Sequence, residues 1–384
     1  MPRTRAEIIQ AERQQRAQKL TPERLSGTES FLHEIKRRRI VERLFGGIGG
    51  WRLRFGGLPP RSGFGLGPEY LRRDLANGNV IFRASARAST RKYYILESQV
   101  VLPELGQGRY YLDFYNAFRN SPRIDYYGPG PDSREQNRTN FRLEETPINV
   151  AGTLNLTPAF RIGLTGGFLG INVGPGTHPG LPSTEQVFSP AAAPGIQEQS
   201  NYLRGGPFVQ FDYRDNPGGP RRGGNYTAQF VHYSDLTSDL FSFGRLDLNL
   251  EQYFPFLNER RVVALRALTS LSFTSSGQTV PFYLQPIVGG PDTLRGFPAF
   301  RFYGNNALIT TAEYRWEVFS GMDAALFVEG GKVFDRVSQL NFHGLEASGG
   351  FGLRFNVRNN VFMRFDVGFS REGAQVWLRF DNIF

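Results

Sequence analysis

Val361-Phe362-Met363-Arg364-Phe365-Asp366-Val367-Gly368-Phe369 alternates residue by residue. Val361, Met363, Phe365, Val367 and Phe369 fall on one face, and Phe362, Arg364, Asp366 and Gly368 on the other. Successive side chains of a strand point to opposite sides of the sheet, so a period of two makes a strand with one apolar and one polar face. The stretches before it repeat the pattern. Residues 345–357 set Leu345, Ala347, Phe351, Leu353 and Phe355 against Glu346, Ser348, Arg354 and Asn356. Residues 308–318 set Leu308, Ala312, Tyr314, Trp316 and Val318 against Thr311, Glu313, Arg315 and Glu317.

A soluble sandwich alternates too, but two features favour a membrane barrel. The strands are long, about 9–14 residues, which suits a tilted crossing, and their polar face is heavily charged. Short turns such as 319–321 and 358–360 also alternate with long loops at 119–137, 174–200, 275–305 and 332–344, the barrel pattern. Counted back from the C-terminus, strands fall near 375–384, 361–370, 345–357, 322–331, 306–319, 260–274, 241–254, 224–234, 201–214, 159–173, 139–156, 108–118, 93–103, 79–88, 64–73 and 50–56. An even count of sixteen closes an antiparallel barrel with both ends on one side. A bulge or bend is expected near Glu144–Pro147, where alternation breaks. The fold expected is all-β, a 16-stranded antiparallel transmembrane β-barrel over residues 46–384, preceded by a short helical segment.

Residues 1–45 read differently, with many charges and apolar residues at roughly helical spacing (Ile8, Ile9; Leu32, Ile35, Ile40, Leu44). They are expected to form amphipathic helix or tail, with a helix starting near Thr28 and Ser30. Met1-Pro2-Arg3-Thr4-Arg5 leads into charged residues with no apolar core, unlike a signal peptide. No run of about 20 apolar residues makes a transmembrane helix.

The 384 residues include no Cys, which excludes disulfides, a thiolate metal site and a Cys nucleophile. Net charge is +10, but the basic residues are spread singly through strand-like segments apart from Lys36-Arg37-Arg38-Arg39, so nucleic acid is not an expected partner. His33, His178, His232 and His343 are scattered and no Gly-x-Ser-x-Gly occurs, so neither enzymatic activity, catalytic residues, a metal nor a cofactor is expected. The expected lumen charges are Arg52, Arg54, Arg83, Arg87, Glu97, Asp113, Arg161, Arg245, Asp247, Glu251, Arg266, Glu313, Arg315 and Glu329, a mixture that implies internal ion pairs.

The loop 275–305 is too long for an idle connection. It holds Gly289-Gly290-Pro291-Asp292-Thr293-Leu294-Arg295-Gly296-Phe297. This resembles the sixth-loop signature of the BamA/TamA superfamily, the bacterial surface antigen family, and it falls between expected strands eleven and twelve, as in that family. Asp215-Asn216-Pro217 with Pro220 and Gly223 is similar to the family's periplasmic turn. Tyr127–Ser133 is similar to its Gly-x-Gly…Asp-Ser loop, and Phe327-Val328-Glu329-Gly330-Gly331 to its Phe-x-Asp-x-Gly strand, with Glu in place of Asp. Val376, Leu378, Phe380 and Phe384 look like the C-terminal assembly signal, although Asn382 departs from it.

The resemblance implies an integral protein of the bacterial outer membrane that assembles or inserts other membrane proteins. It would do so through a lateral seam between strands near 50–56 and 375–384. The implied partners are outer-membrane lipids, unfolded outer-membrane protein substrates, and periplasmic or membrane partner proteins. A secretion pore, a passive channel or a subunit of a larger complex is the alternative. Family members usually carry periplasmic POTRA domains, for which residues 1–45 are too short. Arg295 cannot deprotonate and needs anionic partners if folded into the lumen. The family's arginine–carboxylate tie implies that it bridges Glu313 and Glu329. Gly296 would allow close backbone approach and Phe297 would wedge against the inner wall.

Overall fold

The computed structural model describes residues 49–357 and 360–380. The expected helical segment over 1–45, and Asn382 and Phe384 of the expected C-terminal signal, lie outside the described residues.

Sixteen strands form one antiparallel sheet in which every strand pairs with its neighbour in sequence, apart from two short strands set inside a loop. In chain order they are β1 (Trp51–Phe55), β2 (Gly65–Leu75), β3 (Val80–Ser89), β4 (Tyr94–Leu105), β5 (Tyr110–Tyr126), β6 (Thr139–Asn155), β7 (Phe160–Pro175), β8 (Tyr202–Asp212), β9 (Gly223–Asp235), β10 (Phe243–Phe256), β11 (Arg261–Phe273), β14 (Asn306–Phe319), β15 (Met322–Phe334), β16 (Glu346–Val357), β17 (Asn360–Ser370) and β18 (Gly373–Arg379). The inserted pair, β12 (Ile287–Val288) and β13 (Phe302–Tyr303), forms a separate two-stranded ladder.

The sheet curls until its edges meet. The Phe380 ring lies 5.8 Å from that of Phe55 and 6.2 Å from that of Phe64. Arg379 donates to the Leu58 carbonyl at 3.2 Å. Among the described residues these edges touch through side chains, and no ladder pair joins β1 to β18.

Alternation sorts the side chains as the period of two requires. Leu326, Val328, Phe351, Phe369, Val376 and Leu378 stand exposed on the outer face. Glu313, Glu329, Ser348, Arg354, Arg364 and Asp366 stand on the inner face and are buried. Short turns at 76–79, 106–109, 156–159, 257–260 and 320–321 gather at one end, and the loops 127–138, 176–201 and 274–305 at the other.

Two expectations need correction. The stretch 119–126, read as loop, belongs to β5, which runs on to Tyr126. Pro122, which cannot donate to a ladder, sits where the register slips between Ser121 and Ile124, and this bulge lets the strand continue past it. The expected irregularity at Glu144–Pro147 is therefore on the partner strand. Glu144, Glu145, Thr146 and Pro147 pair in unbroken register with β7.

Above the sheet at the long-loop end, Ile124, Tyr126, Phe141, Phe243, Phe282 and Tyr303 belong to one buried apolar cluster built from strand ends and loops. Tyr126 is packed edge-on against Phe282 and Tyr303, with centroids 5.2 and 4.9 Å away. The loops thus have a core of their own rather than lying loose, which places the 274–305 loop in one position over and inside the barrel.

Candidate functional site

The loop between β11 and β14 turns inward at Gly289 and Gly290, whose φ values of 112° and 109° lie in the left-handed half that only glycine adopts freely. A Cβ on Gly289 would sit 2.6 Å from the Pro298 carbonyl oxygen, so the turn also has no space for one. The Gly290 amide donates to the Leu294 carbonyl at 3.1 Å and the Phe297 amide to the same oxygen at 3.1 Å. This tight geometry drives Leu294, Arg295 and Phe297 into the lumen, each 0% exposed.

Phe297 packs with Val288, Leu294, Phe302, Ile309 and Val333, its ring 5.4 Å from that of Phe302. Beside it the guanidinium of Arg295 lies over Phe327, its Cζ 3.4 Å from the ring centroid. Its Nη1 donates to Glu313 at 2.7 Å and to Asp366 at 3.2 Å. Its Nε donates to Glu329 at 2.6 Å, and its backbone amide donates to the second oxygen of the same carboxylate at 2.6 Å. Ser348 donates to Glu329 as well, at 2.7 Å.

The carboxylates do not serve Arg295 alone. Glu313 also accepts from Arg354 at 2.9 Å and from Arg315 at 2.7 Å. Asp366 lies 2.8 Å from Arg354 and 3.2 Å from Arg364. Arg364 then returns to the loop, donating to the Pro291 carbonyl at 2.9 Å and to Asp292 at 2.5 Å. The guanidiniums of Arg295, Arg315, Arg354 and Arg364 are thus matched in number by the carboxylates of Glu313, Glu329, Asp366 and Asp292. A buried charge is tolerable when paired, and each of these guanidiniums pairs with at least one carboxylate, with Arg379 adding a longer contact to Asp292 at 3.7 Å.

The loop is pressed onto β17 backbone to backbone. Gly296 has the Phe369 carbonyl 2.4 Å from where its Cβ would be, and Gly368 has the Arg295 carbonyl carbon at 2.4 Å. Ser370 donates to the Gly296 carbonyl at 2.7 Å. Trp377 of β18 donates its indole N–H to the Arg295 carbonyl at 2.8 Å. The last strand of the sheet is therefore bonded to the loop that holds the lumen network.

A second arginine ties the loop at its other end. Arg301, 1% exposed, donates to Glu372 at 2.8 Å and to the hydroxyl and carbonyl of Ser133 at 2.9 and 2.7 Å. It lies over the rings of Tyr127 and Phe302, 4.9 and 4.4 Å from their centroids. Arg301→Ala leaves the Glu372 carboxylate only its longer ion pair to Arg371 at 3.9 Å and cuts three segments apart. We expect it to cost about 3 kcal/mol locally and to open the 127–138 and 274–305 loops to protease while the barrel stays folded. Wild-type protease resistance would count against this role.

Of the residues singled out from sequence, Arg295, Glu313 and Glu329 are brought together, and Gly289, Gly290, Gly296 and Phe297 build the turn that carries them. Val376 and Leu378 face outward, and Phe380 lies at the meeting of the sheet edges. Asp366, Arg354 and Arg364 were missed as site residues, although the polar face of the alternating stretches contains all three. Arg301 and Trp377 carry no sequence signal of their role, because their partners lie in distant loops.

Residues 195–376 match the Omp85 superfamily domain. The fold is similar to BamA from Haemophilus ducreyi lacking POTRA domains 1-3, with a TM-score of 0.63 and 13% identity over 85% of this chain and 68% of that one. It is also similar to CdiB from Escherichia coli, with a TM-score of 0.56 and 15% identity over 85% of this chain. The match spans 61% of the length of that CdiB chain. A comparison with curated proteins gives no match. At such identities the structures speak for the fold, and the domain match, which covers the loop motif and its carboxylates, speaks for the family. The chain thus carries an Omp85 superfamily domain over residues 195–376, within a β-barrel of the bacterial outer membrane.

Proposed function

We propose that this barrel assembles or inserts other outer-membrane proteins through a lateral seam between β1 and β18, with no catalytic step. Omp85 proteins work with substrate proteins, partner proteins and lipids of that membrane. The observation that carries the reading is the hydrogen bond from Trp377 of β18 to the Arg295 carbonyl. It connects one edge of the seam to the buried charge network, so the loop's position and the seam's state depend on each other.

The edges themselves are short. Among the described residues β1 has 5 and β18 has 7, against 11 in β2 and 11 in β17. Among the described residues these edges touch through side chains with no ladder pair between them, so parting there costs less than parting two laddered strands. An edge so exposed can template an incoming strand by strand addition. A bilayer thinned beside short strands lowers the barrier to insertion.

The test is an insertion assay in liposomes, with a urea-unfolded small barrel as substrate and folding followed by gel shift. The wild-type chain is expected to accelerate folding over protein-free liposomes. Arg295→Ala is expected to assemble but to be about tenfold slower, the rate equivalent of ~1.4 kcal/mol. Wild-type activity in Arg295→Ala would sink the role given to the loop. No acceleration by a folded wild-type barrel, with steady ionic conductance instead, would favour a pore.

A further inference from the structure

We propose that the upper part of the seam holds a binding site for an anionic, phosphate-bearing lipid of the outer leaflet. β1 ends at Phe55, and the loop 56–64 then folds beside the upper part of β18. Between them is a cavity of about 650 Å³, lined on one side by Gln375, Val376, Trp377 and Leu378 and on the other by loop 56–64 and the strand ends behind it. Long loops mark the outward end of such a barrel, so this cavity lies at the level of the outer leaflet.

Its charge is one-sided. Arg61, Arg91, Arg123, Arg138 and Arg379 line it, Arg379 also reaching Asp292 at 3.7 Å, and Asp125 is the one carboxylate among its described lining residues. Asp125 is already shared by Arg61 at 2.6 Å and Arg138 at 3.0 Å. Arg91 donates to the Arg61 carbonyl at 2.8 Å, and Arg123 to the Thr177 hydroxyl at 3.2 Å. These oxygens are neutral, and among the described residues no carboxylate forms an ion pair with either guanidinium. The contrast is with the lumen network, where each guanidinium is matched by a carboxylate. Planar guanidinium forks fit phosphate oxygens two at a time, and a recess lined by charge of one sign concentrates ions of the other.

The outer rim has the opposite chemistry. Phe64, Val376 and Leu378 line the same cavity and are 46%, 61% and 54% exposed on the membrane side. A recess with arginines behind and an apolar lip facing the bilayer fits a ligand with a phosphate head and acyl chains. A soluble anion would have no use for the lip. The site stands independently of the insertion reading, because it rests on charge and shape alone.

The test is lipid retention by the full chain. Protein is reconstituted in nanodiscs of equal phosphatidylglycerol and phosphatidylcholine with the same acyl chains. Lipid that stays bound on release is identified by native mass spectrometry. Wild type is expected to prefer phosphatidylglycerol by about fivefold, a modest gain for charge-assisted contacts at a half-open site. The Arg91→Gln/Arg123→Gln double variant is expected to lose that preference, and Arg91→Lys/Arg123→Lys to keep most of it. Arg72→Gln/Arg222→Gln, altering exposed arginines at the other end of the barrel, should retain the wild-type ratio. Titration of inorganic pyrophosphate into protein in detergent separates a soluble anion from a lipid. Equal retention of the two lipids, or a preference unchanged in the double glutamine variant, overturns the site. Pyrophosphate binding without any lipid preference overturns the assignment to a lipid.

Discussion

Glu313→Ala will destabilise the barrel more than removal of any other carboxylate in the lumen network. Glu313 accepts from Arg295, Arg315 and Arg354 at 2.7, 2.7 and 2.9 Å, and its side chain is 0% exposed. Without it, guanidiniums from the loop, from β14 itself and from β16 face each other in a site that water does not reach. Breaking a buried pair by deleting one partner costs about 3–5 kcal/mol. Total stability of a folded chain is only about 5–15 kcal/mol. The expected result is a clear fall in the urea midpoint of the heat-modifiable folded band on a gel. Glu329→Ala should cost less, since Arg295 retains Glu313 and Asp366 when Glu329 is removed. Glu313→Gln keeps acceptor oxygen but no charge and should lie between. A wild-type midpoint in Glu313→Ala, or a larger loss in Glu329→Ala, would show that the network is not centred on Glu313.

Gly368→Ala should expel the loop from the lumen and leave the wall intact. The added Cβ would lie 2.4 Å from the Arg295 carbonyl carbon and oxygen and 2.7 Å from the Gly296 nitrogen. All three are backbone atoms, so no side chain can swing aside to relieve the overlap. The ladder partners of Gly368, which are Gly350 and Gln375, do not depend on its lacking a side chain. The loop must therefore rise, and Arg295 leaves its carboxylates with it. Trypsin reads the outcome, because Arg295 is 0% exposed in the folded chain and Arg295-Gly296 is a cleavable bond once free. We expect wild type to resist cleavage there and Gly368→Ala to be cut, with both keeping heat-modifiable mobility. Resistance in the variant would mean that the loop does not need this close approach.

The strands were legible because a period of two is a local property. Each expected strand from β1 to β18 overlaps an observed one, and Glu313 and Glu329 point inward for no reason beyond alternation. The glycines and the arginine of 289–297 were legible through resemblance. The misreading at 119–126 has a local cause too, since Pro122 among polar residues resembles a loop until a bulge accommodates it.

The sequence by itself thus determined which residues line the wall, which face they take and which loop carries the lone arginine between glycine turns. What only the tertiary structure decided was who meets whom across the lumen. Glu313 lies opposite Phe327 in the ladder, not opposite Glu329, and the two carboxylates converge only because Arg295 descends between them. Arg301 reaches Ser133 across 168 positions of sequence, and Trp377 reaches Arg295 across 82. The physical reason is that alternation follows from the backbone geometry of neighbouring residues. The path of a loop through a lumen follows instead from burying apolar side chains and matching buried charges that the chain supplies from far apart.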